Sequence, residues 1–282
     1  MEDLRKIVWL ASYPKSGNTW FRAFLTQLMQ PDIELDINNM AGGPIASSRE
    51  VFDEVSGIAS SDLAREEIEN LRPDVYRHLA KNSKDVLYKK IHDAYIITSS
   101  GQPLIPSEVT KAVIYFIRNP LDVAPSFANH LNKTLDETIA LMKNPAYAFC
   151  DKDYRMQNQL EQKLLSWSAH VESWLDKPGL PLCVVKYEDM ISKGFETFKR
   201  MVRFLELDKP DEEIMSAIQK SSFNALHNQE KEKGFKEKSP DSPTFFRQGK
   251  AGSWQQELSK KQVDMIINNH KKIMERFGYL PY

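Results

Sequence analysis

Apolar positions along this chain follow two different rhythms. Three short runs are almost continuously apolar and rich in β-branched and aromatic residues, "KIVWLAS" at 6–12, "KAVIYFIR" at 111–118 and "PLCVVKY" at 181–187, and "DVLYKKI" at 85–91 is a candidate fourth. Runs of this kind read as strands buried on both faces, as in parallel sheets. Between them the period lengthens. Leu160, Leu164, Trp167, Val171, Trp174 and Leu175 predict one buried helix face, and Val263, Ile266, Ile267, Ile273, Met274 and Phe277 predict another near the C-terminus. Strands alternating with helices predict an α/β fold of three layers, α/β/α, around a central parallel sheet. Ligands are then expected beyond the carboxyl ends of the strands, where the loops after Leu10, Tyr88, Ile117 and Val185 gather.

No internal repeat or linker-like shift divides the chain, so residues 1–282 read as a single domain. One stretch lacks either rhythm. Residues 228–254, "NQEKEKGFKEKSPDSPTFFRQGKAGSW", are charged and carry Gly and Pro, the pattern of a long surface loop.

Composition narrows the function classes. With 41% hydrophobic and 27% charged residues and a formal net charge of -1, the chain has no overall basic field, so neither nucleic acid nor a membrane surface is the expected partner. The N-terminal apolar run is too short for a signal peptide, and no stretch approaches a membrane span. Cys150 and Cys183 are too few and too far apart in sequence for a disulfide framework or a zinc site, which fits a reducing cytoplasm.

The first strand leads into "ASYPKSGNTW" at 11–20 and then an apolar helix beginning at Trp20. Strand, loop and helix in that order place the backbone N–H groups of residues 15–19 at a helix N-terminus, a nest suited to an anion. The ordinary nucleotide loop, G-x-x-x-x-G-K-[ST], carries its lysine directly after the second glycine. Laid on Ser12 to Thr19, that frame keeps Gly17 and Thr19, but Asn18 stands where the lysine belongs and the cation, Lys15, lies inside the loop. A cation there would sit over the bridging oxygen of a terminal group, which suits a leaving phosphate better than ATP hydrolysis.

With this loop the chain resembles, as a bacterial-like member, the cytosolic-type sulfotransferases that use 3'-phosphoadenosine 5'-phosphosulfate (PAPS). Their phosphosulfate loop, Y-P-K-[SA]-G-[TN]-[TD]-W, is matched by Tyr13 to Trp20. Three further elements follow in the family's order. "YKKIH" matches its K-x-H with Lys90 and His92, which strand alternation turns to the same side. "IRNPLDVAPSF" at 117–127 matches the strand end and helix whose arginine and serine, here Arg118 and Ser126, hold the 3'-phosphate. "RQGKAGSW" at 247–254 matches R-K-G-x-x-G-[DNS]-W in Arg247 and Gly249, with neutral Gln248 in place of a cation.

The resemblance implies a P-loop, nucleotide-kinase-like frame and transfer of a sulfuryl group from PAPS to a hydroxyl, or second an amine, of a small-molecule acceptor. It assigns His92 as general base and Lys15 and Lys90 as charge stabilisers. Lys15, Ser16, Gly17, Asn18, Thr19 and Trp20 would bind the phosphosulfate end and adenine, Tyr187, Ser221 and Phe223 the adenine, and Arg118, Ser126, Arg247, Gln248 and Gly249 the 3'-phosphate. No metal is implied. The plainer readings stay open at this point: Arg118 capping a carbonyl or pairing with a carboxylate, Tyr187 as a core aromatic, and the whole as a P-loop kinase or a non-catalytic nucleotide binder. An aromatic-lined acceptor pocket is expected from Met40, Phe52, Tyr95, Tyr147 and Phe149, and a lid from residues 228–246. The dimer motif K-x-x-x-T-V-x-x-x-E of many vertebrate members is missing after Trp254, so the oligomeric state is left open.

Overall fold

The four apolar runs are the strands of one sheet. In the computed structural model, which describes residues 3–151, 156–176, 179–239 and 242–281, they are β1 (Ile7–Ser12), β2 (Leu87–Ile91), β3 (Thr110–Ile117) and, after a short antiparallel pair β4 (Ala148–Phe149) and β5 (Gln162–Lys163), β6 (Leu182–Lys186). The four form a central parallel sheet in the order β2-β1-β3-β6. β1 and β2 run in register from Ile7 beside Leu87 to Ala11 beside Ile91. Every residue of β1 is buried, because a central parallel strand has no solvent face.

The helices are α1 (Asn18–Met29), α2 (Arg49–Ser56), α3 (Arg65–Asn82), α4 (Pro120–Leu131), α5 (Leu135–Lys143), α6 (Trp167–Leu175), α7 (Tyr187–Ser192), α8 (Gly194–Phe204), α9 (Asp211–Lys220), α10 (Phe223–Lys233), α11 (Trp254–Glu257) and α12 (Lys260–Phe277). They flank the sheet, giving the expected α/β class.

The chain forms two compact units. The first comprises 1–13, 42–115 and 145–183 and holds β1, β2, most of β3, and α2, α3 and α6. The second comprises 14–41, 116–144 and 184–282 and holds the remaining helices. Within the second, α1 packs on α9, and α4 packs on α5, α11 and α12.

Two expectations need correction. The face read over residues 160–175 is helical only from Trp167, where Ser166 caps α6 by accepting from the Ala169 N–H at 3.2 Å. Leu160, Gln162 and Leu164 are buried in extended chain instead. A spacing of four is also twice the strand period, so the two leucines fit either reading. The second concerns residues 228–254. Residues 228–233 belong to α10 rather than to a loop, and Phe235 and Phe246 are buried with Ala23, Leu35, Ile37, Met40 and Leu226, with Trp20, Phe223 and Phe245 packed against them. Glu230 turns inward and accepts from the Phe245 and Phe246 N–H groups at 2.6 and 2.8 Å and from Thr244 Oγ1 at 3.1 Å. The charged sequence thus hides three aromatic anchors and a carboxylate that ties them down.

Candidate active site

The second unit carries the nucleotide-side residues. The loop after β1 enters α1 through Lys15 and Gly17, both in the left-handed region with φ 67 and 102. For lysine this backbone is strained, and such strain clusters at functional turns. Gly17 is required twice over: a Cβ there would lie 2.8 Å from the Tyr187 ring. Asn18 and Thr19, both buried, open α1, whose first turn has no acidic residue to compete with a bound anion. Ser16 is 1% exposed, and its Oγ has no hydrogen-bond partner among the described residues. A buried hydroxyl left this way costs free energy unless something accepts from it or donates to it, and a phosphate oxygen at the helix N-terminus fits that need. Lys15 Nζ lies 3.5 Å from the centroid of the Phe245 ring.

Arg118 stands beside this loop. Its Nη1 donates to the Lys15 carbonyl at 3.1 Å, its Nη2 to the Lys250 carbonyl at 3.0 Å, and its guanidinium lies 4.3 Å from the Tyr187 ring centroid. It therefore does cap carbonyls, and in doing so ties the loop at 15 to the stretch at 247–250. Its Nε, buried, has no partner among the described residues and remains available to an oxyanion. Tyr187, where burial raises the phenol pKa, opens α7 and meets Trp20 edge to face at 6.1 Å. Half-buried Trp20 also has its indole Nε1–H unpartnered among the described residues.

The remaining nucleotide-side positions divide. Gly249 (φ 63) runs so close to Phe223 that a Cβ would lie 2.3 Å from its ring, and Phe223 stacks on His227 at 5.7 Å. Ser221 is buried and donates its hydroxyl proton to the Ala217 carbonyl at 2.8 Å, which leaves it only as an acceptor. Ser126 is half-buried on α4, one residue after Pro125, which lies inside that helix. Arg247 is engaged by a carboxylate: Nη1 and Nη2 donate to Glu257 Oε2 and Oε1 at 2.6 and 2.8 Å, and Gln248 Nε2 approaches Oε1 at 3.4 Å. The stretch after Gly249 is anchored by Asp122 of α4, 1% exposed, which accepts from the N–H groups of Gly252 and Trp254 at 2.7 and 3.1 Å.

The first unit carries Lys90, His92 and the groups that hold them. β2 ends at Ile91, so His92 is the first residue past the strand, next to the end of β1. Its Nδ1 lies 2.8 Å from the Ser12 carbonyl and 3.3 Å from Ser12 Oγ. A carbonyl only accepts, so the shorter contact puts the proton on Nδ1 and makes Nε2 the basic nitrogen of the ring.

Behind it lies a second histidine, in α6. His170, fully buried, donates from Nε2 to the His92 carbonyl at 3.0 Å and accepts from the Tyr115 hydroxyl at Nδ1, 2.7 Å away. Burial pushes its pKa down to about 4, so it stays neutral at physiological pH. Trp174 Nε1 donates to the Asp93 carbonyl at 3.0 Å, Ser173 Oγ accepts from the Tyr95 N–H at 3.0 Å, and Arg72 grips the Asp93 carboxylate with two bonds of 2.8 and 2.7 Å. Successive turns of α6 and one arginine of α3 thus pin residues 92–95. No short-range pattern marks these supports; the "SWSAHVESW" stretch shows only that His170 shares a face with Trp167 and Trp174.

Of the residues expected at the acceptor, Met40 and Phe52 are core side chains, 6% and 2% exposed, whereas Tyr95, Tyr147 and Phe149 are half-buried. One groove of the first unit is polar, about 200 Å³, and lined by Arg49, Arg65, Arg72, Glu69 and Glu161 among others. Among the described residues no group of three His, Cys, Asp or Glu is placed to hold a metal ion, and no helix is long and apolar enough to cross a membrane.

The family model described as sulfotransferase domain matches residues 5–278. Flavonol 3-sulfotransferase of Flaveria bidentis is 25% identical over 283 residues, spanning 96% of this chain and 81% of the plant protein. Sulfotransferase 1B1 of the dog, Canis lupus familiaris, is 25% identical over 275 residues, spanning 94% of this chain and 82% of its own length. The crystal structure of mouse sulfotransferase SULT7A1 complexed with PAP has the same fold, with a TM-score of 0.60 at 21% identity over 97% of this chain and 86% of the mouse chain. Since the family model spans nearly the whole sequence, the chain belongs to the sulfotransferase family.

Proposed function

We propose that this sulfotransferase moves the sulfuryl group of PAPS to a hydroxyl, or second an amine, of a small-molecule acceptor, with His92 as the general base. The observation that carries the reading is the bond from His92 Nδ1–H to the Ser12 carbonyl. It fixes the tautomer with Nε2 basic, on the first residue past a strand whose Lys90 is a candidate cation for the same reaction.

In the proposed step the acceptor oxygen attacks sulfur in line as its proton passes to His92 Nε2. The bond from sulfur to the bridging oxygen breaks, and adenosine 3',5'-bisphosphate leaves. Lys15 and Lys90 stabilise the charge that grows on the bridging oxygen and the transferring group, which is where preorganised cations lower a barrier most. The N–H groups of residues 15–19 and the unpartnered Ser16 hydroxyl receive the 5'-phosphosulfate. Trp20, Phe223 and Tyr187 offer aromatic faces to adenine, with Ser221 as an acceptor, while Arg118, Arg247, Gly249 and Ser126, with Gln248 beside them, receive the 3'-phosphate. The complex of mouse SULT7A1 with PAP, and that of retinol dehydratase with androsterone and inactive cofactor PAP, whose fold is similar with a TM-score of 0.63 at 16% identity, support the same nucleotide here.

The flavonol sulfotransferase relative and the retinol dehydratase complex with androsterone favour a small organic acceptor. Two cysteines, Cys150 and Cys183, too few and too far apart in sequence for a disulfide framework, favour a reducing, cytoplasmic setting. We also take the chain as one sulfotransferase domain in which residues 228–246, of which 240 and 241 lie outside the described residues, act as a lid. Its hold would be the grip of Glu230 on Phe245 and Phe246. Cleavage after Lys231, Lys233, Lys236 and Lys238 should then slow strongly when adenosine 3',5'-bisphosphate is added; unchanged cleavage removes the lid.

The test of the function is an acceptor-library screen with labelled PAPS, scoring sulfated products by mass. Sulfated product that vanishes in His92→Ala supports the reading. A strict Mg²⁺ requirement with phosphorylated product would replace it with phosphoryl transfer.

A further inference from the structure

The stretch expected to grip the 3'-phosphate is electrically compensated from within. Of the two cations in the family pattern R-K-G, one is replaced here by neutral Gln248, and the other, Arg247, is paired end-on with Glu257 through both terminal nitrogens. Arg247 and Glu257 are 23% and 24% exposed at the side chain, which is sheltered enough for the pair to keep its geometry and open enough for a nucleotide to reach. Gln248 adds a long contact to the same carboxylate.

A guanidinium has five N–H donors, and an end-on carboxylate uses one on each terminal nitrogen. Three remain, including Nε–H, which is buried and has no partner among the described residues. A phosphate can therefore dock on the other edge of Arg247 while Glu257 stays paired. It meets a donor-rich but charge-neutralised group.

We propose that Glu257 is an affinity-setting residue for this sulfotransferase: a fixed counter-charge that weakens the grip on the 3'-phosphate of PAPS and of the product nucleotide. The inference rests on the nucleotide reading of the preceding subsection. It places the attraction for the 3'-phosphate mainly on Arg118, whose side-chain bonds run to the Lys15 and Lys250 carbonyls. It also accounts for two departures at once. Gln248 withholds a positive charge and Glu257 adds a negative one, so both lower the local potential in the same direction. A nucleotide product held less tightly leaves faster, which matters wherever product release limits turnover.

The size of the effect follows from Coulomb's law. A unit charge one guanidinium away, about 6 Å from a phosphate dianion, changes binding by about tenfold even at the dielectric of water, and by more in a sheltered site. The competing effect is loss of orientation, since Glu257 also holds the fork in place. Gln at position 257 keeps an acceptor for Arg247, so removing the charge should outweigh the loosening.

The experiment compares adenosine 3',5'-bisphosphate with adenosine 5'-monophosphate, which lacks the 3'-phosphate, by calorimetry at low salt. In Glu257→Gln the bisphosphate should bind about tenfold more tightly than in wild type, with the monophosphate unchanged and the bisphosphate more sensitive to added salt. Glu257→Asp, which keeps the charge, should stay near wild type for both. An unchanged or lowered preference for the bisphosphate in Glu257→Gln would overturn the proposal and make Glu257 a prop for Arg247. If wild type neither binds the bisphosphate nor turns over PAPS, the nucleotide reading itself has failed, an outcome distinct from an active enzyme whose preference ignores position 257.

Discussion

The segment that presents His92 and the loop that opens α1 solve opposite problems. Around residues 92–95 the polar groups discussed above are answered by the protein: the His92 and Asp93 carbonyls by His170 and Trp174, the Asp93 carboxylate by Arg72, the Tyr95 N–H by Ser173. Around the loop and the 247–254 stretch, buried donors have no partner among the described residues: Ser16 Oγ, Trp20 Nε1, Arg118 Nε and Arg247 Nε. The first region is finished by its own chain, whereas the second leaves donors that a bound oxyanion, as proposed above, would complete. A base, the role proposed for His92, must be aimed before the reaction begins, which bracing of this kind would serve. A phosphate cradle must spend its donors on the ligand, so it forgoes stability when folding alone. Polar substitutions should therefore destabilise the first region and barely trouble, or even stabilise, the second.

The largest effect expected is at the buried pair. Arg72 and Asp93 are 4% and 1% exposed at the side chain, and replacing Arg72 by Met leaves a carboxylate buried without its partner. That should cost about 3–5 kcal/mol in unfolding free energy, read by denaturant titration, with much of it regained in Arg72→Met/Asp93→Leu. A loss under 1 kcal/mol would show that the segment is not braced in this way.

Acid should act next, on His170 behind residues 92–95 and on His270 in α12. His170 and His270 are buried and held near pKa 4, below their ordinary 6.5. The unfolded chain thus takes up protons between these values that the fold refuses. Stability is full above about pH 6.5 and falls as the pH drops toward 4, by roughly 1.4 kcal/mol per pH unit for each histidine. His170→Gln should flatten part of that slope, and because it loosens the His92 carbonyl it should also lower kcat while leaving nucleotide affinity alone. A lowered kcat with an unchanged acid slope would break the link between burial and bracing.

How much of this contrast could be read in the sequence depends on range. The strands and the loop were legible because continuous β-branched runs and a strand-to-helix turn are local signals, and the candidates Lys15, Gly17, Trp20, Arg118, Tyr187, Phe223 and Gly249 do lie together in the second unit. The start of α6 was misread because Leu160 and Leu164 satisfy both periods. The helical reach of α10 was hidden by charge, although Glu and Lys are good helix formers and Glu230 faces inward. The bracing by His170, Arg72 and Trp174 and the pairing of Arg247 with Glu257 were out of reach, since each joins residues through tertiary packing that no spacing encodes.

The smallest stability effect expected lies in the cradle. Ser16→Ala removes a buried hydroxyl that has no partner among the described residues, so the melting temperature should stay level or rise slightly. Affinity for adenosine 3',5'-bisphosphate should fall by several-fold, as for one lost hydrogen bond to a charged group. Clear destabilisation with unchanged affinity would place Ser16 in the braced class and dissolve the contrast.

The most direct test of the central claim is His92→Ala, with turnover and nucleotide affinity measured on the same preparation. Turnover of PAPS should fall by at least a thousandfold while adenosine 3',5'-bisphosphate binds within about threefold of wild type, because the imidazole acts on the acceptor proton and not on the nucleotide. Activity within about tenfold of wild type would remove His92 from the chemistry, and with it the account of why residues 92–95 are held as they are.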